Sequence, residues 1–411
     1  MDLLRPVVRA YAWGSRYGIA TLQGRPVPAG GPEAELWMGA HPSAPSGLDR
    51  DRRPATLDAV IAADPGRELG PGDVARFGAR LPFLLKVLSA DQALSIQVHP
   101  SRAQAEAGFR AENERGLAPD DPARNYVDDW PKPELLCALT PFEVLAGMRN
   151  SADAAGILRA LAVDQLQPLA AGLERGTGDL GGALESVLRW PEDGRKELVG
   201  RVVAACEWLA SVDGPYAGAC TAALRVALDH PGDLGVVALL LMRHTVLEPG
   251  EAMFMPAGGL HAYLRGTGIE LLANSDNVVR AGLTGKHIDV PELLRLVDPA
   301  VSVPVLSPLV LPDGIIWFDT PAPEFRLYVL ELAGSALALP GEGPRIVLCL
   351  DGDALLRTAS GEALELTRGD SCFIPFADAS VRATGHARLI LAAPGAGGME
   401  ARRACATSVI L

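Results

Sequence analysis

The sequence lacks the patterns that mark several common kinds of protein. Its six cysteines lie far apart and form no Cys-x-x-Cys pair, so no thiolate zinc site is visible. The opening stretch MDLLRPVVRAYAWG has neither a long apolar core nor a small-residue cleavage site, so we expect no secretion and no disulfide bonds. The longest apolar run, VVALLLM from Val236, is far shorter than the ~18 residues of a membrane-spanning helix. These absences predict a cytoplasmic protein with no membrane partner.

The charge balance is acidic, with 50 Asp and Glu residues against 37 Lys and Arg and a net charge of −13 at pH 7. Such a surface repels the phosphates of nucleic acids and anionic membranes, so neither is an expected partner. A small phosphorylated substrate is compatible with this balance where a few Lys and Arg side chains converge. We expect a monomer or a weak homodimer.

Length and turn content indicate several domains rich in β-structure. A chain of 411 residues can form two or three domains, and its 44 glycines and 33 prolines favour many turns. Residues 1–150 and 233–305 contain strand-like runs and are predicted to form one barrel in two parts, which the resemblance given below implies to be the metal-binding catalytic domain. In residues 306–411, strand-like runs again alternate with turns, which predicts a second barrel.

Residues 151–232 differ from both β regions because they are rich in Ala and Leu at helical spacing. In KELVGRVVAACEWLASV, apolar residues recur every three or four positions and form one stripe: Leu198, Val199, Val202, Val203, Cys206 and Leu209. This segment is predicted to be an α-helical domain inserted into the first barrel.

The two β regions contain similar segments, PGEAMFMPAGGLHAY from Pro249 in the first and RGDSCFIPFADASVRA from Arg368 in the second. Both run from a Gly and an acidic residue through a short apolar strand and a proline to a turn, which indicates two barrels of one type. Only the first segment has a histidine after its turn. The second barrel is therefore predicted to bind no metal.

In LSIQVHPS, alternation along a strand puts Gln97 and His99 on one face within reach of a single ion. This relation resembles that of the two strand ligands in the first half of the cupin signature, and the resemblance implies a metal site. Glu134 and His261 are the candidates for a carboxylate and a second imidazole. Two nitrogens, one amide oxygen and one carboxylate suit Zn²⁺ or another first-row ion.

Several segments of the sequence resemble motifs of known families. Gly250, Pro256, Gly258 and His261 resemble the second half of the cupin signature, with Arg265 where that signature usually has Asn. LSIQVHPS, KPELL, PAGGLHAYL and IELLANSDNVVRAGLTGK, in this order, resemble type I mannose-6-phosphate isomerase (phosphomannose isomerase), a family of the cupin superfamily. AELWMGAHPSAPS and LPFLLKVLSA resemble its other recurring passages. The resemblance covers most of residues 1–150 and 245–290. It implies a mainly β fold of two cupin (jelly-roll β-barrel) domains with an inserted α-helical domain.

The resemblance also implies roles for individual residues. The zinc ligands, for one Zn²⁺ per chain, would be Gln97, His99, Glu134 and His261. The catalytic residues would be Arg280, Lys132 and Glu270, and the substrate-binding residues would include Lys86, Ser95 and Lys286. Family members commonly have a histidine just before the lysine of the KPE phrase, whereas this chain has Trp130-Pro131.

Some residues admit a second interpretation from the sequence alone. Trp13, next to Tyr11 in AYAWG, is predicted to bind substrate at the pocket mouth, with core packing as the equal alternative. Lys86 could be a lysine whose ammonium reaches solvent from a strand end. Arg280 could pair with Asp276 or Asp289.

The implied activity is the zinc-dependent interconversion of mannose 6-phosphate and fructose 6-phosphate, an aldose–ketose isomerisation through a cis-enediol. Arg280 and Lys286 could hold the phosphate, while the residue that moves the proton is left open between several groups. Three alternatives are an iron-dependent cupin oxygenase, a non-catalytic sugar-phosphate sensor and a cupin-type glucose-6-phosphate isomerase.

Overall fold

The computed structural model describes residues 1–50 and 52–395 of the chain. The end of the predicted C-terminal domain, residues 396–411 with Cys405, lies outside the described residues. Across the described ranges, no helix is both long and apolar enough to cross a membrane. Two large antiparallel sheets contain nearly all the strands, which confirms the mainly β fold class with two cupin barrels.

The strands, in chain order, are β1 (Asp2–Leu3), β2 (Val7–Arg9), β3 (Glu35–Met38), β4 (Gly47–Arg50), β5 (Arg53–Thr56), β6 (Phe83–Ala90), β7 (Ile96–Val98), β8 (Glu134–Ala138), β9 (Phe142–Met148), β10 (Met242–Leu247), β11 (Ala252–Met255), β12 (His261–Ala273), β13 (Val279–Gly282), β14 (Val305–Leu306), β15 (Leu309–Val310), β16 (Ile316–Trp317), β17 (Arg326–Ala333), β18 (Leu337–Ala338), β19 (Arg345–Thr358), β20 (Ala363–Thr367), β21 (Ser371–Ile374) and β22 (Val381–Ala393). The helices are α1 (Gly18–Leu22), α2 (Leu57–Ala63), α3 (Pro65–Leu69), α4 (Pro71–Phe77), α5 (Arg102–Glu114), α6 (Ser151–Leu161), α7 (Gln167–Arg175), α8 (Leu180–Leu188), α9 (Glu192–Ser211), α10 (Ala217–Asp229), α11 (Gly235–Ala238) and α12 (Val290–Leu296), with short 3₁₀ helices at Asp164–Leu166 and Leu239–Leu241.

The first barrel is an antiparallel sheet of eleven strands built around β12. The first residue of β12, His261, pairs with Gln97 of β7, and its later part pairs with β6 on one side and β8 on the other. The change of partners occurs at Gly266, which has a φ of +136° and lies so close to Phe142 that a Cβ atom would be 2.7 Å from its ring. Glycine is needed there because both the backbone conformation and the close approach exclude a side chain.

Between β9 and β10 the chain forms helices α6 to α11, where the sequence predicted a helical insertion. The predicted apolar stripe of α9 is buried, apart from Val203, which is half-buried. The helices share one core with the barrel residues Ile96, Leu145 and Ala262, so they cover an outer face of the first barrel. The predicted boundary at residue 232 falls between α10 and the two short helices that end at Leu241.

The second barrel is an antiparallel sheet of nine strands that includes the first residues of the chain. Strand β1 pairs with β21, so Asp2 and Leu3 belong to the C-terminal sheet rather than to the first barrel. The two barrels pack against each other through a shared core, to which Leu135 and Ile269 of the first and Phe325 and Ile346 of the second contribute.

We expect Leu198→Ala on α9 to lower the free energy of unfolding by about 2–5 kcal/mol, because the side chain is buried in the shared core of helices and barrel. Urea denaturation measures the change. Leu228→Ala on α10 is the matched control, since this leucine is 83% exposed and its truncation should cost less than about 0.5 kcal/mol. Equal effects of the two substitutions would contradict the assignment of the α9 stripe to the core.

Candidate metal centre and substrate pocket

Three side chains from different strands meet inside the first barrel. His99 directly follows β7, Glu134 begins β8 and His261 begins β12, and β12 pairs with both of the other strands. His99 Nε2 lies 3.1 Å from Glu134 Oε1, and His261 Nε2 lies 3.4 Å from Glu134 Oε2. One ligand atom from each residue falls within 4.8 Å of the others, and all three residues are buried. The structure thus brings together three of the four predicted ligands as a compact cluster.

The backbone holds each imidazole by its other nitrogen. His99 Nδ1 donates to the carbonyl of Asn277 at 2.8 Å, and His261 Nδ1 donates to that of Gly259 at 3.0 Å. These bonds leave both Nε2 atoms as acceptors that face Glu134. His99 Nε2 is buried and has no hydrogen-bond partner among the described residues. Lys132 and Tyr263 lie within hydrogen-bond distance of Glu134, but no donor among the described residues reaches His99 Nε2. Two imidazole acceptors and a carboxylate that converge in this way fit a metal ion.

The protonation states of the cluster also suit a metal. Burial lowers the pKa of His99 to about 4, although the charge of Glu134 acts in the opposite direction. Burial alone would raise the pKa of Glu134, but His99 and Lys132 hold it well below its usual range. At neutral pH the cluster therefore presents a neutral imidazole and an ionised carboxylate, the forms that bind metals.

The fourth predicted ligand, Gln97, lies on β7 beside the cluster. Its side-chain nitrogen is 3.3 Å from His261 Nε2, and its Oε1 accepts a hydrogen bond from Ser95 Oγ at 3.4 Å. A half-turn of the amide would direct Oε1 towards the cluster. Ligation by Gln97 stays a prediction, as do the individual roles of the other site residues.

The cluster adjoins a cavity of about 630 Å³. Two of the predicted metal ligands, Gln97 and Glu134, line this cavity. All residues predicted to bind substrate or to act in catalysis line it as well: Trp13, Lys86, Ser95, Lys132, Glu270, Arg280 and Lys286. Trp13 stacks on Tyr11 at the same cavity, with ring centres 5.7 Å apart. His99 and His261 lie behind this lining.

Lys86 lies between two buried carboxylates and does not reach solvent. Its ammonium is 3.3 Å from Glu35 Oε1, 3.1 Å from Glu270 Oε2 and 4.8 Å from the centre of the Trp37 ring. Pairing of β6 with β3 and β12 sets these contacts, since Trp37 and Glu270 are the direct neighbours of Lys86. Burial would lower the pKa of Lys86, but Glu270 and Glu35 raise it, so the ammonium stays charged. Sequence reasoning missed Glu35 and Trp37, which lie in the AELWMGAHPSAPS passage.

Arg280 and Lys286 face the cavity as cations, and neither forms an ion pair with any residue of the described ranges. The alternative pairing of Arg280 is not observed, because Asp276 binds His41 Nε2 at 3.3 Å and Asp289 accepts a hydrogen bond from Asn125. Burial lowers the pKa of Arg280, and burial together with the Arg280 charge lowers that of Lys286. Two neighbouring cations without a direct ion-pair partner among the described residues are suited to binding an anion such as a phosphate.

Asp276 also belongs to the cavity lining, although sequence reasoning gave it no role in the site. Burial would raise the pKa of Asp276, but the hydrogen bond from His41 and its charge lower it to about 2. His41 is itself held by Ser43, whose Oγ lies 2.9 Å from Nδ1. The carboxylate of Asp276 is therefore fixed and ionised beside the cationic end of the pocket.

The chain before Lys132 is anchored by Trp130. This ring is buried between the guanidinium groups of Arg80 and Arg102, whose central carbons lie 4.5 and 5.1 Å from its centre. Pro131, the residue before Lys132, has no acid–base group. Lys132 Nζ lies 3.1 Å from Glu134 Oε1.

Asn277 connects this loop to the metal-ligand cluster. Its side chain donates to the carbonyls of Asp128 and Trp130 at 2.7 and 2.8 Å and accepts from Val127 N at 2.8 Å, while its own carbonyl holds His99. The residue is completely buried. No local sequence signal indicates this role, because every partner is distant in the chain.

The two barrels and the buried ligand cluster define a two-barrel cupin protein with a candidate metal centre in its first barrel. Comparison with known proteins narrows this class. A family model for the catalytic domain of type I phosphomannose isomerase matches residues 1–151, and one for the cupin domain of mannose-6-phosphate isomerase matches residues 315–394. The chain is 36% identical to mannose-6-phosphate isomerase of Escherichia coli K12, over 95% of this chain and 98% of that protein. The chain belongs to the type I phosphomannose isomerase family.

Solved structures of relatives have the same fold. A variant of phosphomannose isomerase from Salmonella typhimurium matches with a TM-score of 0.88 at 34% identity, over 96% of this chain and all of that one. A zinc-bound mannose 6-phosphate isomerase matches with a TM-score of 0.86 at 34% identity, over 96% of this chain and 99% of that one. The family predicted from the sequence motifs is thus confirmed.

We expect Asn277→Ala to lower the free energy of unfolding by about 2–4 kcal/mol, because it leaves one buried and two partly buried backbone groups without this partner. Asn274→Ala is the matched control, since the Asn274 amide donates only to the Leu81 carbonyl, at 3.2 Å, and should cost about 1 kcal/mol. Chemical denaturation of both variants measures the difference. A loss for Asn277→Ala no larger than that of the control would contradict the role given to Asn277.

Proposed function

We propose that this protein is a mannose-6-phosphate isomerase that interconverts mannose 6-phosphate and fructose 6-phosphate with one Zn²⁺ per chain. The observation that carries the proposal is that Glu134 of the buried ligand cluster lines the same cavity as Arg280 and Lys286, two cations that form no ion pair within the described ranges. A metal site and an anion site in a cavity of about 630 Å³ suit a small phosphorylated sugar. The name of the relatives and the zinc in one of their structures support the same choice.

The zinc would be held by Gln97, His99, Glu134 and His261. When bound, it would act as a Lewis acid that polarises and orients sugar oxygens. The side chains at the open face of the cavity would supply the remaining chemistry, which consists of binding the phosphate, moving a proton and stabilising charge on oxygen.

Isomerisation of the open-chain aldose moves one proton from C2 to C1 and a second from the C2 hydroxyl to the carbonyl oxygen on C1, and a cis-enediol is the proposed intermediate. Glu270 is the favoured base, because burial raises its pKa to about 7, with Glu134 adding to the effect and Lys86 opposing it. A carboxyl group with a pKa near the working pH can accept the proton from one carbon and return it to the other. Lys132, which lines the cavity beside Glu134, is the alternative.

The other predicted residues have positions that fit their proposed roles. Arg280 would stabilise the negative charge that develops on oxygen, and together with Lys286 it would bind the phosphate. Lys86 would keep Glu270 in place through their ion pair. Ser95 and Trp13 would bound the sugar, since both line the cavity.

We also propose the domain division predicted from the sequence, with residues 1–150 and 233–305 as the catalytic cupin domain, 151–232 as the helical insertion and 306–411 as the metal-free cupin-like domain. The membership of β2 to β14 and of β15 to β22 in different sheets supports this division. Two departures are β1, which pairs with the second sheet, and the separate β4–β5 sheet. The cytoplasmic location and the monomer or weak homodimer stay predictions.

We expect the zinc-loaded protein to convert mannose 6-phosphate to fructose 6-phosphate, to lose turnover with a chelator and to regain it with Zn²⁺. His99→Ala should reduce both bound zinc and kcat/KM by about 100-fold or more, because it removes a metal ligand. Arg280→Ala should keep the zinc but lose kcat/KM. The exposed His386 of the second barrel provides the matched control, His386→Ala, which should change neither quantity.

A coupled assay and metal analysis on the same samples make these measurements. Absence of turnover in the zinc-loaded wild-type protein would refute the isomerase proposal and favour the sugar-phosphate sensor.

We expect kcat/KM to fall as the pH drops below about 7, because Glu270 then takes up a proton and no longer acts as a base. A bound divalent cation favours the ionised carboxylate, so the acid limb of the profile should lie at or below this pH. Glu35→Gln removes a negative charge that raises the pKa of Glu270, and it should move the limb to lower pH. A limb that stays in place in Glu35→Gln would contradict the assignment of Glu270. The pH profile of kcat/KM is measured from about pH 5 to about pH 9 for the wild type and for Glu35→Gln.

A further inference from the structure

The cationic end of the cavity is formed by a turn whose backbone is strained. Arg280 lies on β13 before the turn, Lys286 lies after it, and Leu283 between them has a φ of +57°. A residue with a Cβ atom rarely adopts this left-handed conformation, so contacts from elsewhere must maintain it. The relative position of the two cations depends on this turn.

The contacts that hold the turn come from the helical segment formed by α6 to α11, which extends past residue 232, the predicted end of the insertion. Asp233 lies in the loop between α10 and α11, and its carboxylate accepts the backbone N–H of Leu283 at 3.0 Å through Oδ2. Through Oδ1 it accepts the N–H of Gly235 in its own loop at 2.7 Å. One side chain thus bridges the helical loop and the turn of the barrel.

The two segments also approach each other more closely than side chains would allow. A Cβ atom on Gly282 would lie 2.9 Å from the Cα atom of Gly235, and the buried side chain of Leu283 packs against the same glycine. The start of this loop reaches the substrate cavity, since His230 belongs to its lining. The end of α10 is further tied to the barrel by Asp229, which accepts a hydrogen bond from Gln92 at 3.2 Å.

We propose that Asp233 is a positioning residue for the anion-binding end of the pocket, and that the helical segment thereby sets the geometry of Arg280 and Lys286. It acts through the backbone of Leu283 and touches no substrate. This inference deepens the proposed function and rests on it, since mannose 6-phosphate is the anion that the proposed reaction would bring to this end. The helical segment therefore has a role in ligand binding besides covering the barrel.

Asp233→Ala removes both accepted hydrogen bonds, and Asp233→Asn keeps one oxygen acceptor in the same place. In zinc-loaded protein we expect Asp233→Ala to raise both the KM for mannose 6-phosphate and the dissociation constant of inorganic phosphate by roughly tenfold, because small displacements of binding groups weaken binding strongly. Asp233→Asn should have a smaller effect in the same direction. Bound zinc per chain should equal that of the wild type in both variants.

The matched control is Asp213→Ala, which removes an exposed carboxylate from the loop between α9 and α10 of the same helical segment. It should leave both constants unchanged. Calorimetry with inorganic phosphate, initial-rate kinetics, metal analysis and the thermal unfolding midpoint are measured on each protein. Where Asp233→Ala fails to fold, Asp233→Asn decides the outcome in its place.

Unchanged phosphate binding in the Asp233 variants would overturn the inference, and so would a loss of zinc in parallel with phosphate, which would indicate general damage to the fold. Absence of phosphate binding by the wild type would overturn it too. Failure of the proposed function gives a different result. A wild-type protein that binds phosphate but does not convert mannose 6-phosphate refutes the isomerase activity. The calorimetric comparison of phosphate binding still tests the role of Asp233 in that case.

Discussion

A carboxylate buried at the base of the pocket, that of Glu134, is the constraint on which the site depends. An ionised group away from water is stable only where cations or donors surround it. Three carboxylates, those of Glu35, Glu134 and Glu270, face two lysines, Lys86 and Lys132. With Glu270 ionised, this set retains one negative charge, and a divalent cation at the ligand cluster would reverse the sign. The pocket of a strongly acidic protein would then attract an anionic sugar.

Strand β12 brings these charges together because it has different partners along its length. Its first residue, His261, pairs with β7, while Glu270 pairs with Lys86 of β6 and Leu272 pairs with Glu134 of β8. The bend at Gly266 allows one strand to serve both halves of the barrel. The metal ligands and the proposed base are therefore fixed by the same backbone pairing, which makes their separation a property of the fold rather than of flexible loops.

The opposite end of the pocket is built differently. Arg280 and Lys286 lie on either side of an irregular turn, and sheet pairing ends at Gly282. The helical segment supplies the missing constraint through Asp233, and it also shares a core with the barrel. The metal-ligand cluster is fixed by strand pairing, and the anion-binding residues Arg280 and Lys286 are supported separately. This arrangement suits a substrate that is held at both ends while a proton moves between two of its carbon atoms.

The sequence alone determined the fold class, the family and the residues whose chemistry is distinctive. Gln97, His99, Glu134 and His261 could be predicted as ligands because few side chains bind metals, because alternation along a strand puts two of them on one face, and because the motifs around them resemble those of the family. Only the tertiary structure decided which ordinary residues complete the site. Glu35 is 51 positions from Lys86, and Asn277 is 178 positions from His99, so nothing local distinguishes them from other Glu and Asn residues. Their roles follow from chain packing, which brings distant polar groups together and requires each buried one to find a partner.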